Sequence, residues 1–414
     1  MKMLHYIIIG LLFFLANSCQ KSDPPTPQPP VFILEDTLEL LASAPLTTDL
    51  RHFFVHSMHL RDQGLVFHFY EPFGPDTVKS VNPEDLQQNW AYTYRNTSDP
   101  RTYCTDQYYY YASLTAARHK LDLDTGEDRW QYLYPQDGII SKYFTVIDGY
   151  GYSAFNYEGR QVLARVDIRK NHVVWEDVFE RRDSSIDRGD FAFPSSWIDE
   201  NGDTILVFQH RILRDVNQQS GDLFSYNLSQ RQIMWHQEDL TGDINTNSNI
   251  ARPLIIGDVV AFGNFAEILG FNKHNGELLW SFPIPEQLSD MSFIKANGKV
   301  IIQPNNSNTT YAIDPNDGTL VWKTEESGST NSRVYAYQDK LYITSQAGPL
   351  FVLNVDTGEI LGQYYSPYYR QGHKDKRAHA IYDANLESPV AIDSINGLIY
   401  LSDGYYLMKC KLPL

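Results

Sequence analysis

Six of the seven tryptophans in this chain stand eight positions after an Asp or Asn: Asn82/Trp90, Asp122/Trp130, Asp167/Trp175, Asn227/Trp235, Asn272/Trp280 and Asp314/Trp322. The clearest copy runs from Tyr311 to Trp322 as Y-A-I-D-P-N-D-G-T-L-V-W, two strand-forming runs flanking a Pro-Asn-Asp-Gly turn. Asn316 and Asp317 can bond back to their own backbone, and Gly318 can take the positive φ that such a hairpin requires. The glycine recurs in register as Gly126, Gly276, Gly318 and Gly358; Asn171, which also tolerates the left-handed conformation, replaces it in the third copy. Leu86 and Arg231 hold that place in the first and fourth copies, which predicts turns built differently there. A seventh copy, Asn354 to Gly362, keeps the turn and lacks the tryptophan.

The copies end at positions 90, 130, 175, 235, 280, 322 and 362, so the unit is 40 to 60 residues long. A unit of that length with about four short strands reads as a β-propeller blade. Composition agrees: 14 % of the 414 residues are aromatic, 28 of them Tyr, and no long stretch has helical periodicity. After Gly362, three more strands are legible at Pro389 to Asp393, Gly397 to Ser402 and Tyr405 to Lys411, without a fourth. Val31 to Leu34 and Thr37 to Leu41 read as the missing outer strand, which would close the ring and leave no open edge. A short helix over Glu35 to Ala44 is the alternative. The expectation is an all-β, eight-bladed propeller over residues 31–414, closed by its N- and C-terminal strands, with seven blades as the alternative. A large flat ring at a fixed place in each blade is what packing between blades needs, so the tryptophans read as structural.

The pattern A-x-D-x-x-[T/D]-G-x-x-x-W is best kept at Ala312, Asp314, Asp317, Gly318 and Trp322, and at Asp122, Thr125, Gly126 and Trp130. It resembles the tryptophan-docking repeat of quinoprotein-type (PQQ-like) propellers, over about residues 50 to 414. For the enzymes of that group the resemblance implies pyrroloquinoline quinone and calcium near the axis, held by carboxylate and amide ligands, commonly against a vicinal disulfide. This chain has no Cys-Cys pair and no ligand set that can be matched residue by residue, so the expectation is no catalytic residue, no cofactor and no metal.

Residues 1–18 carry Lys2 and an apolar run from Tyr6 to Leu15, the layout of a signal peptide rather than a membrane span. Ala16-Asn17-Ser18-Cys19 resembles a bacterial lipobox, which predicts lipidation at Cys19. Residues 19–30 continue as a Pro-rich stretch that reads as an extended tether. Signal, fold and size together are similar in outline to the propeller lipoproteins of the outer-membrane β-barrel assembly machinery. Localisation in a bacterial envelope follows, in the outer membrane and held only by the lipid, with periplasmic and surface orientations both open. Cys104 and Cys410 fall in different blades, so no disulfide framework is expected.

A net charge of −17 excludes nucleic acid and anionic membrane surfaces as partners, since both need clustered Lys and Arg. Asp199 to Asp203 has the composition of a calcium loop but sits where a polar hairpin turn is needed anyway, and His52, His56 and His59 are not spaced to share one strand face. Loop length is more informative. In an antiparallel blade the loop entering the blade and the loop after its second strand lie at one end of the ring, and the Asp-to-Gly turns at the other. The long insertions Tyr70 to Thr77, Glu180 to Pro194, Arg211 to Gly221 and Tyr364 to Asp383 all fall at the first end. The last gathers Tyr364, Tyr365, Tyr368 and Tyr369 with Arg370, His373, Lys374, Lys376 and Arg377, residue types favoured at interface hot spots. The reading is a monomeric, lipid-anchored, non-enzymatic scaffold that binds another envelope protein through this face. A glycan-binding surface lipoprotein and a PQQ-dependent dehydrogenase-like enzyme are the alternatives.

Overall fold

The computed structural model describes residues 34–47, 53–70, 75–94, 103–105, 107–112, 118–132, 139–157, 160–170, 174–182, 188–191, 194–215, 218–240, 252–264, 267–284, 291–304, 307–328, 333–345, 348–368, 385–386 and 388–413. Residues 1–18 and 19–30, expected to be a signal peptide and a tether, lie outside them. The described residues form strands and turns without a helix, arranged as eight antiparallel sheets in a ring. The blades span 54–94, 103–132, 139–182, 188–237, 254–283, 291–324, 333–365 and 391–411. First strands of neighbouring blades touch, as Met291–Ala296 does Arg333–Tyr337 and Phe54–Arg61 does Ala391–Asp393, so the first strand of each blade is innermost.

Each sheet is sandwiched between two others, so both faces of its middle strands are covered. That is why second strands read as unbroken apolar runs: every residue of Val259–Gly263 is buried. The cores lie between blades, as where Val300, Ile302 and Tyr311 of blade 6 pack on Ala261, Ile268 and Trp280 of blade 5.

At four places the repeat motif clasps one blade to the next. The indole N–H groups of Trp90, Trp235, Trp280 and Trp322 donate to the carbonyls of Leu123, Lys273, Pro315 and Val355 at 3.0, 2.8, 2.8 and 3.0 Å. Each acceptor directly follows the Asp or Asn that opens the next blade's turn. The four rings lie on Gly126, Gly276, Gly318 and Gly358, where an added Cβ would come within 2.5–2.7 Å of the indole. These glycines have φ of 72–74°, the left-handed region that favours glycine, and the covering indole leaves no space for a Cβ. In the outer strand the residue just before Trp90, Trp235, Trp280 or Trp322 is the extra residue of a β-bulge, a local twist that re-aims the ring.

Trp175 corrects the expectation that the repeat tryptophans all serve alike. Trp90, Trp235, Trp280 and Trp322 pair with Ser80, Ser225, Gly270 and Ala312, two residues before the Asp or Asn of their own blade, whereas Trp175 pairs with Val166, one residue before Asp167. One residue of register turns a side chain to the opposite face of the sheet. The Trp175 ring therefore faces back instead of toward blade 4, edge-on to Phe155 at 4.8 Å and against the cluster of Tyr110, Phe144 and Val166. Glu176 takes the forward-facing place opposite Arg165 and meets Arg231 of the blade 4 turn at 2.7 Å, an ion pair where the four clasps have an indole and a glycine. The extra residue of this outer strand is Val178, beyond the tryptophan rather than before it, so no bulge re-aims the ring. Trp175 thus packs within its own blade and toward blade 2. The side chain of Trp130 lies outside the described residues.

Leu86 and Arg231 correct the expectation of differently built turns. Both take the left-handed conformation, at φ 60° and 54°, and Leu86 N–H donates to the Asn82 carbonyl at 2.9 Å as Gly126 does to Asp122 at 2.8 Å. No indole from blade 8 lies over Leu86; its own side chain, 2 % exposed, fills that space beside Tyr400.

β1 (Leu34–Thr37) and β2 (Leu40–Pro45) close the ring. β2 is the outer strand of blade 8, pairing from Leu40↔Cys410 to Pro45↔Tyr406. β1 adds a fifth strand to blade 7 beside Ile360–Tyr365, and Leu38 N–H donates to the Tyr365 carbonyl at 3.0 Å. Strands thus replace the alternative of a helix over Glu35 to Ala44, and the blades number eight rather than seven.

Candidate partner-binding face

The ladders place the entering loops and the second-to-third-strand connections at one end of the ring, as strand parity requires. Three of the four insertions are shorter there than the sequence suggests. Arg211 to Gly221 is mostly strand: Thr204–Asp215 pairs with Gln218–Asn227 as one long hairpin, and Arg188–Phe191 pairs with Arg211 and its neighbours. Backbone pairing leaves no mark on composition, so this polar extension reads as a loop. Glu180 to Arg182 end the outer strand of blade 3, while Tyr70, Asp76 and Thr77 are strand residues of blade 1.

The predicted hot-spot residues divide. Tyr364 lies in the strand Ile360–Tyr365, is 6 % exposed and packs with Tyr342, Leu350 and Val352, so it belongs to the core and not to a contact surface. Tyr365 is half-buried in the same strand. Tyr368 is half-buried as well: its ring stacks on Tyr406 at 4.3 Å and its hydroxyl shares a 2.6 Å hydrogen bond with Ser43 of β2. Ser366 hydroxyl donates to the Asp403 carboxylate at 2.8 Å and accepts from Tyr368 N–H at 3.1 Å, fixing the stem to blade 8. Burial pushes the Asp403 carboxyl above its usual range, against hydrogen bonds from Tyr406 N–H, Ser366 and Tyr405 N–H. Tyr369, Arg370, His373, Lys374, Lys376 and Arg377 lie outside the described residues.

Two buried polar clusters occupy the same end, and sequence reasoning missed both. In blade 1, His68 is fully buried with Nε2 3.7 Å from the Asp76 carboxylate and 3.2 Å from the Tyr94 hydroxyl, and His56 stacks on Tyr70 at 4.4 Å. Burial first, then the neighbouring charges of Tyr109, Asp76 and Tyr92, raises the Tyr94 phenol far above its usual range, so it is a hydrogen-bonding group rather than a base. Between blades 3 and 4, Arg181 donates to Asp222, His236 stands 3.4 Å from the same carboxylate, and His210 bonds Gln161 under the ring of Phe191. Burial alone would raise Asp222; the Asp239 N–H and the Arg181 guanidinium outweigh it and hold the carboxyl below its usual range. His210 and Asp222 are opposite each other across the hairpin, so only its register could have revealed the pair.

At the other end, a cavity of about 270 Å³ in blade 3 is lined by Tyr150, Arg165, Asp167, Lys170, Val174 and Glu176. Its cations are already committed, Arg165 to Glu176 at 2.8 Å and Lys170 to Asp167 at 3.8 Å. Asp199 accepts from the N–H groups of Asn201 and Asp203 at 2.9 and 2.8 Å, and Gly202 has φ 83°: a self-bonded hairpin turn. His52 lies outside the described residues, and burial lowers His59 to about 4, keeping it neutral.

Among the described residues no three His, Cys, Asp or Glu are grouped to hold a metal ion. Cys104 and Cys410 lie in blades 2 and 8, so they are not the adjacent pair that a vicinal disulfide needs.

A family model described as outer membrane protein assembly factor BamB matches residues 221–404. The tetrathionate hydrolase of Acidithiobacillus ferrooxidans is 25 % identical over 174 residues, 34 % of this chain and 34 % of its own length, so the chain spans about a third of that curated relative. Among solved structures, BamB from Moraxella catarrhalis is similar with a TM-score of 0.57 at 13 % identity, covering 91 % of this chain and all of that one. A quinohemoprotein alcohol dehydrogenase from Pseudomonas putida has a TM-score of 0.59 at 12 % identity, covering 91 % of this chain and 76 % of that one. At these identities the structural likenesses establish the fold. Motif, ring and matches converge: the chain is an eight-bladed β-propeller built of PQQ-like repeats.

Proposed function

We propose that this propeller is a lipid-anchored, non-enzymatic scaffold of the bacterial envelope, held in the outer membrane through Cys19, that binds another envelope protein through its loop-rich end. The observation that carries the reading is the fixed stem at Ser366–Tyr368. Tyr368 is held by Tyr406 and Ser43, and the chain continues from it into Tyr369, Arg370, His373, Lys374, Lys376 and Arg377. A Tyr- and Arg-rich segment rooted on a rigid scaffold suits recognition, and its positive charge in a protein of net charge −17 would steer an acidic partner. The match to an assembly-factor family over residues 221–404 supports a scaffold over a catalyst.

The test is co-purification from solubilised envelopes with Arg370→Ala, Lys374→Ala, Lys376→Ala and Arg377→Ala combined. Tyr368 is left intact, because removing its ring would also loosen blade 8. Loss of the partner with an unchanged melting temperature is expected; retention would overturn the reading. Cys19→Ala should move the protein out of the membrane fraction, since anchoring rests on buried acyl chains at about 0.8 kcal/mol per CH₂.

A further inference from the structure

The rim of the ring carries a second, independent pattern. In blades 4, 5 and 6 the two residues before the docking tryptophan are large, apolar and solvent-facing: Ile233 and Met234, Leu278 and Leu279, Leu320 and Val321, each 43–53 % exposed. They lie on outer strands, Gln232–Gln237, Leu278–Pro283 and Leu320–Thr324, whose outer edges no strand pairs among the described residues. Six such side chains on three consecutive blades form one arc.

The clasp does not require them. Blade 1 has Gln88 and Asn89 in these places, with Asn89 in the bulge, and Trp90 still donates to Leu123 at 3.0 Å. Blade 2 has Asp128 and Arg129. Blade 3 has Val173 and Val174, the latter 66 % exposed, and blade 8 has Leu40 and Leu41, the latter 47 % exposed. Among the described residues, blades 4 to 6 are therefore where both residues of an apolar pair are exposed, at a cost in solvation and on open strand edges that invite pairing.

Blade 7 shows what such an edge accepts. Its equivalent pair, Ile360 and Leu361, with Leu361 in the bulge, is only partly exposed, and β1 is paired with that strand. The chain thus lays an extended segment of itself on an edge of this type, directly beside the open edge of blade 6.

We propose that the outer edges of blades 4 to 6 are a docking rim for an extended, apolar β-strand of another polypeptide, added to the sheet as β1 is added to blade 7. Backbone hydrogen bonds to the edge would supply affinity, and the exposed pairs would supply pockets for alternate side chains. A second copy of this chain is the poorer occupant, because each copy carries a net charge of −17 and would be repelled, whereas a neutral or basic segment would not. The rim is separate from the loop-rich end and stands without it.

The probe is a synthetic peptide of about ten residues, alternating valine and threonine with lysine at both ends, titrated onto the whole mature protein. The variant is Met234→Asn, Leu279→Asn and Val321→Asn together, which repeats what blade 1 carries at position 89 and leaves the charge unchanged. The expected result is binding weakened by about tenfold or more in the variant. A peptide N-methylated at alternate amides, which keeps its side chains and loses its donors, should fail to bind the unaltered protein, and this arm holds even where the variant folds poorly. Equal binding by the Asn variant, equal binding of the methylated peptide, no binding of the parent peptide, or concentration-dependent dimerisation abolished by the Asn variant would each overturn the proposal.

Discussion

The Tyr400 hydroxyl donates to the Pro83 carbonyl at 3.0 Å, the same place in the blade 1 turn that Trp90, Trp235, Trp280 and Trp322 seek in theirs. Blade 8 takes its outer strand from the N-terminus, and Ala42 stands where a tryptophan would be, in one row with Lys409 and Tyr400. Blade 7 repeats the exchange: Gly362, Val352 and Tyr342 form the row, and Tyr342 donates to the Pro413 carbonyl at 3.3 Å. A tyrosine on the second strand thus supplies the ring and donor that the fourth strand lacks.

Tyr400→Phe should therefore cost about 1 kcal/mol, leaving the ring and removing the donor, and Tyr400→Ala about 3–5 kcal/mol. Burial, then the charges of Asp393 and Glu84, push this phenol up to about 12, so the donor persists through neutral pH. Urea unfolding of both variants measures the two costs.

Two glycines separate conformation from space. Gly202 has φ 83° with nothing within 4 Å of an added Cβ, whereas Gly358 has φ 73° and a Cβ there would meet Trp322 at 2.5 Å. Gly202→Ala should cost about 1–2 kcal/mol, the left-handed penalty alone. Gly358→Ala should cost clearly more and quench or shift the Trp322 emission as the ring is displaced.

Asp222 and Asp403 predict opposite pH dependences. The Asp222 carboxyl is held low, so its contribution is present above the unfolded value near 3.8 and lost as pH falls through the folded value; Asp222→Asn should cost most at neutral pH and little in acid. The Asp403 carboxyl is held high, so its contribution is present below the unfolded value near 3.8 and lost as pH rises through the folded one. Asp403→Asn should gain on the parent as pH rises. Thermal midpoints from pH 3 to 8 test both signs.

Removing residues 31–45 should lower the melting temperature by far more than removing residues 20–30. The first deletion strips blade 8 of its outer strand and takes Leu38 and Leu40 from the core with Ile399, Leu401 and Met408. Equal melting curves would contradict closure by β2.

The blade count was legible because tryptophan, glycine and an Asp or Asn each meet a separate physical demand at fixed spacing. Closure was legible because three strands without a fourth leave an edge. Tyr342 and Tyr400 were not, since a tyrosine in an apolar strand looks like any core residue until the row across the sheet is known. Trp175 shows the same limit from the other side: it keeps the eight-residue spacing, yet a register set by pairing, which spacing does not record, sends its ring to the opposite face. Leu86 and Arg231 misled for a related reason, because glycine is required only where an indole covers the turn. At the candidate face, composition singled out Tyr364 to Arg377 but could not tell that Tyr364 turns into the core, because strand register decides which of Tyr364 and Tyr365 is buried.

The pairing of Pro45 with Tyr406 joins residues roughly 360 apart in sequence. Strand β2 is made early in synthesis and has no sheet to join until the three strands of blade 8 follow it. Folding must therefore hold one end of the circle open for most of translation, and the long loop to be closed makes this last step slow. The ring behaves as a chain with a late latch, and conditions that trap β2 elsewhere would leave seven formed blades and an unfinished eighth.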